Sequence, residues 1–486
     1  MITSDFVMAA VLLPFLGAAF ISISDARPNL RDGFTISFGI LLIIVVYSIA
    51  PEVLNGEHPE TQGYNVLPGL SIRFEVEPLG MLFAMIASGL WIINSIYSIG
   101  YMRGNDEPRQ TQFFTAFAIA IASTIGIAFA GNLFTLFLFY EILTLSTYPL
   151  VTHKGNDIAR AGGRMYLVIL LSTSVLLLLP AIIATYFMTG TLEFQVGGVF
   201  DPLMSTGLFG LMSFLFIYGV GKAAVMPVHR WLPAAMVAPT PVSALLHAVA
   251  VVKAGVFTIV KIIIYIFGID LFATAGSTSW VVYVAGFTVI TASVIALGQD
   301  NLKRRLAYST ISQLSYVVLA AAIATPLAII GAALHIAAHA LGKITLFFAA
   351  GSIYTAAHKT EISQMNGIGR RMPITMIAFG IGALSMIGIP PTAGFLGKWY
   401  ILSSAMTSAD IFVLFVIFVS TLLNAAYFVP IVYNAFMKPE DARPDHEHGE
   451  SPWPVVLALS LTALGSIALF FYPDVPLSLA EQLVRN

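Results

Sequence analysis

Five lysines and one glutamate lie inside stretches of this 486-residue chain that are otherwise apolar. A charge within a membrane costs about 3 kcal/mol or more, so such residues usually face the interior of a helix bundle and carry ions or protons. Three histidines, which change charge near neutral pH, lie in the same stretches. The pattern predicts a path for protons or cations that passes from stretch to stretch. The residues concerned are Glu141, Lys222, His247, Lys253, Lys261, His335, His339, Lys343 and Lys398.

Glu141 lies in the middle of the apolar stretch Leu133–Val151, and no other carboxylate lies deep inside such a stretch. Its side chain is too short to reach the membrane surface from there. One interpretation is that Glu141 hydrogen-bonds to a neighbouring helix and only supports packing. The favoured interpretation is that it is the counter-ion of a buried amine, which it holds charged or releases to neutrality as the two groups separate.

Lys222 precedes Pro227 in another apolar stretch. Burial opposes the charge of a lysine whereas a nearby carboxylate stabilises it, so Glu141 and Lys222 together predict a tunable proton site. The alternative is that Lys222, about one helical turn from the end of its span, extends its amine to the membrane surface.

Lys253 lies in the middle of its span, where no such extension is expected. His247 precedes it by six residues, a rotation of about 240° on a regular helix. The two side chains are therefore expected to face different sides and to connect neighbouring paths. Lys261 lies nearer the end of the span, and we expect its amine to reach the membrane surface.

His335, His339 and Lys343 follow one another at intervals of four residues, so they lie along one stripe of a helix. Three titratable groups over about 12 Å of one helix face favour a proton relay. A metal ion held by the two histidines is the alternative, but no carboxylate or cysteine in that span completes a site.

Lys398 has no acidic residue near it in the sequence. It is predicted to release or accept protons at the end of the path.

The composition identifies the elements that must position these residues. The chain is 58% apolar and 10% charged, with a mean hydropathy of +0.88, whereas soluble domains contain about 25% charged residues. It is therefore predicted to be an all-α, polytopic membrane protein. The net charge is −2 and no basic patch suggests nucleic acid as a partner. Because there is no cysteine, disulfides, thiolate metal sites and Cys-ligated iron–sulfur clusters are excluded, and any redox chemistry must belong to a partner. No cofactor is expected in this chain.

Apolar runs of about 20 residues, the length that crosses a membrane, predict fourteen spans. Sixteen of the 23 basic residues fall in the loops after odd-numbered spans, and two fall in the even loops and termini. Since Lys and Arg gather on the cytoplasmic side, this alternation supports the count and predicts that both termini are extracytoplasmic. The N-terminus lacks signal-peptide features, so the first span is expected to be retained. The predicted spans are 5–24, 34–50, 78–101, 113–130, 133–151, 165–188, 206–226, 242–267, 279–297, 306–325, 327–356, 374–404, 411–436 and 453–471.

The seventh and twelfth spans are predicted to be broken. The seventh contains Gly219-Val220-Gly221-Lys222 and Pro227, and the twelfth contains Gly388-Ile389-Pro390-Pro391 and then Gly397-Lys398. Proline frees backbone carbonyls that need partners, and interrupted helices in corresponding places of two halves often mark an ion site. Glycine and proline are also common in ordinary membrane helices. Here, however, a lysine lies close to both breaks.

The segment Asp445-His446-Glu447-His448-Gly449-Glu450 follows the thirteenth span. Its mixture of histidine and acidic residues is also found in metal-binding tracts. A solvated cytoplasmic loop is the favoured interpretation, and no metal site is predicted.

Several motifs resemble the antiporter-like subunits shared by respiratory complex I, membrane-bound hydrogenases and Mrp-type multisubunit cation/proton antiporters. The similarity covers essentially all fourteen spans. Its most specific stretches are Phe139-Tyr140-Glu141, Gly221-Lys222-Ala223-Ala224-Val225-Met226-Pro227, Trp231-Leu232-Pro233-Ala234-Ala235, Ala238-Pro239-Thr240-Pro241-Val242-Ser243-Ala244-Leu245-Leu246-His247, the series His335, His339 and Lys343, and Gly388-Ile389-Pro390-Pro391.

In that family a glutamate of span five pairs with a lysine of span seven. Lysines or histidines of spans eight and eleven form a hydrated central axis, which a Lys or Glu of span twelve ends. These positions match Glu141, Lys222, Lys253, His335, Lys343 and Lys398 here. The resemblance also implies two inverted repeats of five spans. The implied divisions are an N-terminal three-span segment (1–110), the first repeat (111–268), the second repeat (269–437), and a cytoplasmic loop with the last span (438–486).

The resemblance implies a proton- and cation-translocating subunit of a multisubunit Na⁺/H⁺ antiporter in the cell membrane, similar to the Mrp D-type subunit. Lysine at position 398, where a complex I subunit ends its path in Glu, and the short sequence after the last span favour this branch. The segment 240–247, in contrast, is similar to the larger subunits. The alternatives are a proton-pumping subunit of a complex I-like NADH-quinone oxidoreductase or a hydrogenase, and a transporter or scaffold that works alone. Other membrane subunits are the expected partners in a multisubunit assembly.

Overall fold

The computed structural model describes residues 2–67, 69–440 and 449–485. These residues are mostly helical, with one short antiparallel hairpin of β1 (Tyr64–Leu67) and β2 (Leu70–Ile72), in which Tyr64 pairs with Ile72. The helices are α1 (Ile2–Ser22), α2 (Pro28–Leu54), α3 (Pro78–Gly104), α4 (Gln110–Ala128), α5 (Leu133–Val151), α6 (Asp157–Thr173), α7 (Leu179–Thr189), α8 (Thr206–Gly219), α9 (Trp231–Ala234), α10 (Thr240–Ala244), α11 (Val251–Ile262), α12 (Ile269–Thr274), α13 (Trp280–Leu297), α14 (Leu302–Ile323), α15 (Pro326–Ala357), α16 (Pro373–Ile387), α17 (Gly394–Thr407), α18 (Ile411–Met437), α19 (Trp453–Phe471) and α20 (Asp474–Gln482). Wider π-helical turns occur at Ser174–Leu178, Leu245–Val249 and Ile263–Phe267.

The predicted all-α membrane architecture is confirmed. Within the described residues, twelve helical segments are long and apolar enough to cross a membrane. Two shorter apolar helices, α8 and α16, lie where the broken seventh and twelfth spans are predicted. Together they account for the fourteen predicted spans. The inverted-repeat relationship and the divisions 1–110, 111–268, 269–437 and 438–486 stay predictions.

The helices that carry Lys253 and the series His335, His339 and Lys343 form the centre of the bundle, together with α14. The most apolar window of the segment Thr240–Phe267 is 100% buried and those of α14 and α15 are 89% buried, whereas that of α19 is 33% buried. A helix that is covered on all sides offers no face to lipid. Its polar side chains must therefore find their partners inside the protein.

The first break lies after α8, which ends at Gly219, and continues through short 3₁₀ turns to α9. The backbone groups that it frees are bound by side chains. The Tyr218 hydroxyl donates to the carbonyl of Met226 at 3.1 Å, and the Trp231 indole N–H donates to that of Gly221 at 3.1 Å. The break is thus a defined structure, as a non-helical segment inside a membrane requires.

The second break separates α16 from α17. Gly388 ends α16 with a φ of +89°, a left-handed conformation that favours glycine. Met386 and Ile387, in the last turn of α16, present carbonyls to the interior that the Lys398 amine binds at 2.9 Å each. The break therefore creates a polar centre beside a lysine, as predicted.

The loops that follow odd-numbered spans meet at one end of the bundle, and the loops that follow even-numbered spans meet at the other. At what we call the basic end, where the odd loops lie, Arg31 binds Gln110 at 3.0 Å and Arg371 binds Glu440 at 2.7 Å. At the opposite, acidic end, Arg73 binds Glu193 at 2.8 Å. This arrangement confirms the predicted alternation of the loops.

Several local features were not predicted from the sequence. They are the β-hairpin, the C-terminal helix α20 and the π-helical turns, one of which contains His247. Residues 445–448 of the predicted solvated loop lie outside the described residues. Glu450, at the end of that segment, accepts hydrogen bonds from the backbone N–H groups of Ile374 at 2.7 Å and Thr375 at 3.2 Å, and so caps α16.

Candidate functional site

The lysines of the predicted path are buried. Lys222, Lys253, Lys261 and Lys343 have no exposed surface, and Lys398 retains 6%. The three histidines are equally enclosed, with at most 1% exposed. A polar group that leaves water without a hydrogen-bond partner is costly, so the partners of these side chains determine what they can do.

The break after α8 places Lys222 against α5. Its amine donates to the backbone carbonyl of Tyr140 at 2.9 Å and to the Thr144 hydroxyl at 2.6 Å, and it lies 3.1 Å from the centroid of the Tyr140 ring. Its backbone N–H donates to the Tyr140 hydroxyl at 3.1 Å. The amine is thus inside the protein, and the alternative of a lysine extended to the membrane surface is wrong.

Glu141 forms no direct ion pair with Lys222. Both carboxylate oxygens of Glu141 lack a hydrogen-bond partner, and the residue as a whole is partly buried. Tyr140 and Thr144, four residues apart, share the face of α5 that contacts Lys222, whereas Glu141 is rotated by about 100° from Tyr140. Its position on α5 is one residue from that of the carbonyl that binds the amine.

A contact between α11 and α15 forms the middle of the site. The Lys253 amine hydrogen-bonds to Nδ1 of His339, and Nε2 of His339 has no partner. The rings of His339 and His335 lie 6.2 Å apart between centroids, nearly parallel. The predicted stripe on α15 is therefore present and faces other polar groups.

From His335 a chain of hydrogen bonds leads to Lys398. His335 Nε2 hydrogen-bonds to the Gln313 side-chain oxygen at 3.0 Å, and the Gln313 amide nitrogen donates to the Met386 carbonyl at 3.2 Å. The Lys398 amine donates to the same carbonyl at 2.9 Å. Gln313, on α14, thus connects the stripe to the second break.

A second chain reaches the same carbonyl from Lys343. Its amine donates to the Ser309 hydroxyl at 2.7 Å, and the Ser309 hydroxyl in turn donates to the Tyr427 oxygen at 3.0 Å. The Tyr427 hydroxyl donates to the Asn424 side-chain oxygen, and the Asn424 nitrogen donates to the carbonyl of Met386 at 3.4 Å. Three donors therefore compete for a carbonyl with two lone pairs.

His247 lies in the π-helical turn before α11, 4.7 Å from the Phe347 ring between centroids. Neither of its ring nitrogens has a hydrogen-bond partner. His247 and Lys253 both contact α15, so the expectation that they face different sides is wrong. That expectation assumed a regular helix, which the wider turn at Leu245–Val249 replaces.

Two glycines allow the broken spans to touch the central helices. A Cβ atom on Gly255 of α11 would lie 2.7 Å from the Lys222 carbonyl oxygen. A Cβ atom on Gly397 of α17 would lie 2.7 Å from the Cβ of His335. Both distances are too short for a real contact, so the close approach that joins the two breaks to the central helices requires glycine.

Lys261 does not reach the membrane surface, contrary to expectation. It is completely buried and forms an ion pair with Glu77 at 3.2 Å. Its amine also donates to the carbonyl of Ala130 at 2.8 Å. Glu77 immediately precedes α3, far from Lys261 in the sequence, so no local pattern indicated the contact.

The polar partners of the lysines and of His335 were missed in the sequence. Gln313 and Asn424 are amides inside predicted spans, where any strongly polar side chain is a signal that it has a partner in the protein. Hydroxyl groups are common in helices and carry no such signal. Among the described residues, no three His, Asp or Glu side chains come together as a metal site requires. The hydroxyl-bearing partners are Tyr140, Thr144, Ser309 and Tyr427.

The fold and the site define a class of protein: a polytopic helical membrane protein with two broken spans and a chain of buried titratable groups between them. The sequence assigns it further. Residues 130–424 match the family described as NADH:quinone oxidoreductase/Mrp antiporter, transmembrane. The chain belongs to this family.

Relatives in sequence are named as subunits of quinone oxidoreductases. The chain is 33% identical over 378 residues to NADH-quinone oxidoreductase subunit N of Desulforudis audaxviator, covering 76% of this chain and 74% of that protein. It is 30% identical over 421 residues to the chloroplastic NAD(P)H-quinone oxidoreductase subunit 5 of Lobularia maritima. That match covers 82% of this chain but only 55% of the relative.

Similar folds occur in solved membrane complexes. A chain of the Mrp complex from Dietzia sp. DQ12-45-1b superposes with a TM-score of 0.88 at 22% identity, covering 99% of this chain and 97% of that one. A chain of the membrane-bound sulfane sulfur reductase, an archaeal respiratory membrane complex, gives a TM-score of 0.86 at 22% identity, covering 98% and 97%. These likenesses establish the fold, with all of its spans.

Proposed function

We propose that this chain is the proton- and cation-translocating subunit of a multisubunit Na⁺/H⁺ antiporter, similar to the Mrp D-type subunit. The observation that carries the proposal is the buried series of lysines and histidines from Lys222 to Lys398. Its members are joined by hydrogen bonds or by direct helix contacts in the most enclosed part of the bundle. A structural core has no need of so many titratable groups, whose burial is costly.

The proposed route begins at the basic end, which we assign to the cytoplasm by the positive-inside rule. Lys222 takes up a proton there, and the nearby charge of Glu141 favours its protonated form. The proton then passes to the central helices through Lys253, with His247 beside it. It continues along His339, His335 and Lys343 and leaves by Lys398. In this orientation both termini are extracytoplasmic and the chain lies in the cell membrane.

Two observations bear on the coupled reaction. Lysine at position 398, near the second break, matches the antiporter branch of the resemblance. The identity to subunit N favours the second candidate, a proton-pumping subunit of a complex I-like oxidoreductase or a hydrogenase. In either assembly the partners are other membrane subunits, and any redox centre bound by cysteine lies outside this chain, which has none.

Proton movement is tested by reconstituting the native complex in vesicles and following a pH-sensitive dye. We expect Glu141→Ala to abolish transport while the complex assembles in normal amount, because the carboxylate makes no hydrogen bond that supports packing. Ser315→Ala, which removes another unpartnered polar group, serves as the matched control and should transport normally. Full transport by Glu141→Ala vesicles would contradict the proposed role of Glu141.

The coupled reaction is tested by tagging the chain in its native cell and identifying what copurifies in mild detergent. Small hydrophobic subunits without flavin or iron–sulfur absorbance, together with Na⁺-dependent proton exchange, support the antiporter. Coloured, cysteine-rich partners and proton movement that requires an electron donor support the redox enzyme instead.

A further inference from the structure

A second polar site, outside the route just described, lies at the acidic end of the bundle. Glu77 precedes α3, and its carboxylate accepts hydrogen bonds from the backbone N–H groups of Leu79 at 2.6 Å and Gly80 at 2.9 Å. It also accepts one from the Tyr265 hydroxyl at 3.2 Å and pairs with Lys261 at 3.2 Å. The helix N-terminus and these four contacts stabilise the negative charge of Glu77.

The ion pair is connected to the surface. A cavity of about 30 Å³, large enough for water, is lined by Lys261, Glu77, Glu75 and His58. His58 and Tyr265 also line a larger, open cavity of about 880 Å³ that leads to solvent. The Lys261 amine and the His58 ring thus line the same water-sized cavity, and His58 also lines the larger one.

The surface side of the small cavity carries a histidine poised to exchange protons. His58 Nδ1 lies 3.3 Å from a Glu75 carboxylate oxygen, and this hydrogen bond raises the pKa of His58 above its usual value. Arg73 holds Glu75 in place at 3.2 Å and contacts Glu60 and Glu193 as well. The charged groups that face His58 are Glu75, Glu77 and Lys261, and Asp270 and Arg485 line the larger cavity beside it.

The same helix connects this site to the central route. Lys261 and Lys253 both belong to α11, eight residues and therefore about 12 Å apart along the axis. Between them lies Thr258, whose buried hydroxyl has no hydrogen-bond partner. Because Lys253 contacts His339, α11 leads from the centre of the bundle to the acidic end.

We propose that Lys261, Glu77 and His58 form a second outlet, through which protons from Lys253 leave at the acidic end in parallel with Lys398. In each cycle the Lys261 ammonium gives one proton to a water in the small cavity, and the neutral amine takes one proton that arrives from Lys253. The excess proton passes to the ring of His58 and then to solvent. The Glu77 carboxylate stays ionised throughout, so charge and protons balance. This outlet rests on the proposed function, since it carries protons only if the central route does.

The competing interpretation is a structural ion pair that fastens the loops at the acidic end. The two interpretations differ in one respect: a structural pair needs only a permanent positive charge at position 261. Arginine supplies that charge and can bind a carboxylate, but it does not lose its proton in proteins. Lys261→Arg therefore separates them.

We expect Lys261→Arg to assemble normally and to transport protons at least twofold more slowly than the wild type in vesicles of the native complex. Lys398→Ala should also retain part of the transport, and the double variant should abolish it. The outlet would be overturned if Lys261→Arg transports at the wild-type rate and the double variant transports at the rate of Lys398→Ala. The proposed function would then remain intact. A wild-type complex that moves no protons would overturn both.

Glu75→Gln gives a measurement that does not depend on how arginine fits. Acid on the side that faces the acidic end protonates His58 and should slow release in the wild type. Removing the carboxylate lowers the pKa of His58 toward its usual value, so we expect the midpoint of this slowing to move to lower pH, with assembly unchanged. An unchanged midpoint would contradict the role of His58.

Discussion

Every buried lysine of the central route except Lys253, which binds the His339 ring, is held by neutral oxygen atoms. Lys222 binds the Tyr140 carbonyl and the Thr144 hydroxyl, and Lys343 binds a serine hydroxyl and the Leu306 carbonyl at 3.3 Å. A nearby carboxylate stabilises the charged form of a lysine more strongly than a neutral oxygen atom does. An ammonium held by neutral oxygen atoms is satisfied but can lose its proton at lower cost than one in an ion pair. Lys261 is bound by the Glu77 carboxylate instead. Its proposed outlet therefore needs a water in the adjacent cavity to accept the proton.

Gln313 is the residue on which the connection between His335 and Lys398 depends. We expect Gln313→Leu, which has a similar volume but no polar atoms, to slow proton transport, but no more than Lys398→Ala does, because the Lys261 outlet is unaffected. The substitution leaves His335 Nε2 without its partner, at a cost in stability of about 1–3 kcal/mol. The measurement is dye-monitored transport together with the melting temperature of the purified complex.

A matched control for this variant lies on the same helix. The Ser315 hydroxyl is buried and has no hydrogen-bond partner, so Ser315→Ala should leave both transport and melting temperature close to those of the wild type. Equal transport by Gln313→Leu and Ser315→Ala would contradict the role of Gln313 in the route.

At the scale of elements, each broken span is pressed against a central helix through a glycine. Gly397 of α17 faces the backbone of His335, and an added Cβ would lie 2.8 Å from its nitrogen. We expect Gly397→Ala to force α17 away from α15, to destabilise the complex by about 1–3 kcal/mol and to reduce transport severalfold because Lys398 moves with α17. Thermal unfolding and vesicle transport measure both effects.

Gly380 provides the control for this substitution in the neighbouring helix α16. There the nearest atom to an added Cβ is Val432 Cγ1 at 3.9 Å, an ordinary contact. Gly380→Ala should therefore be neutral or slightly stabilising, since alanine is the better helix former. Loss of transport in both variants would indicate a general sensitivity of the spans and not a specific contact at Gly397.

The elements were predictable from the sequence to the extent that local patterns determine them. Span length and the alternation of basic loops predicted the fourteen spans, and glycine and proline predicted both breaks. The stripe of His335, His339 and Lys343 followed from helical periodicity. The partners of these residues were not predictable, because Gln313 and Ser309 come from a different helix whose rotation only packing determines. The ion pair of Lys261 was missed for the same reason, and the π-helical turn at His247 has no sequence signature.

At the scale of the whole molecule, the two ends differ in charge and connect to the interior in different ways. The basic end contains the odd loops, and at the acidic end a cavity leads towards the Glu77–Lys261 pair. The proposed direction of transport follows from assigning the basic end to the cytoplasm. The orientation of the chain is therefore the whole-molecule property on which the proposed inlet and both outlets depend.

The absence of cysteine from the chain allows this orientation to be measured directly, because a single introduced cysteine is the only thiol of the chain to react. Asp157, whose side chain is 100% exposed, lies at the basic end, and Leu203, which is 91% exposed, lies at the acidic end. We expect a membrane-impermeant maleimide added to intact cells to label Leu203→Cys, and to label Asp157→Cys only after the membrane is permeabilised. Both side chains are exposed and outside the proposed route, so transport should be unaffected. The reverse labelling pattern would invert the orientation, so that Lys222 would receive protons from outside and Lys261 and Lys398 would deliver them to the cytoplasm.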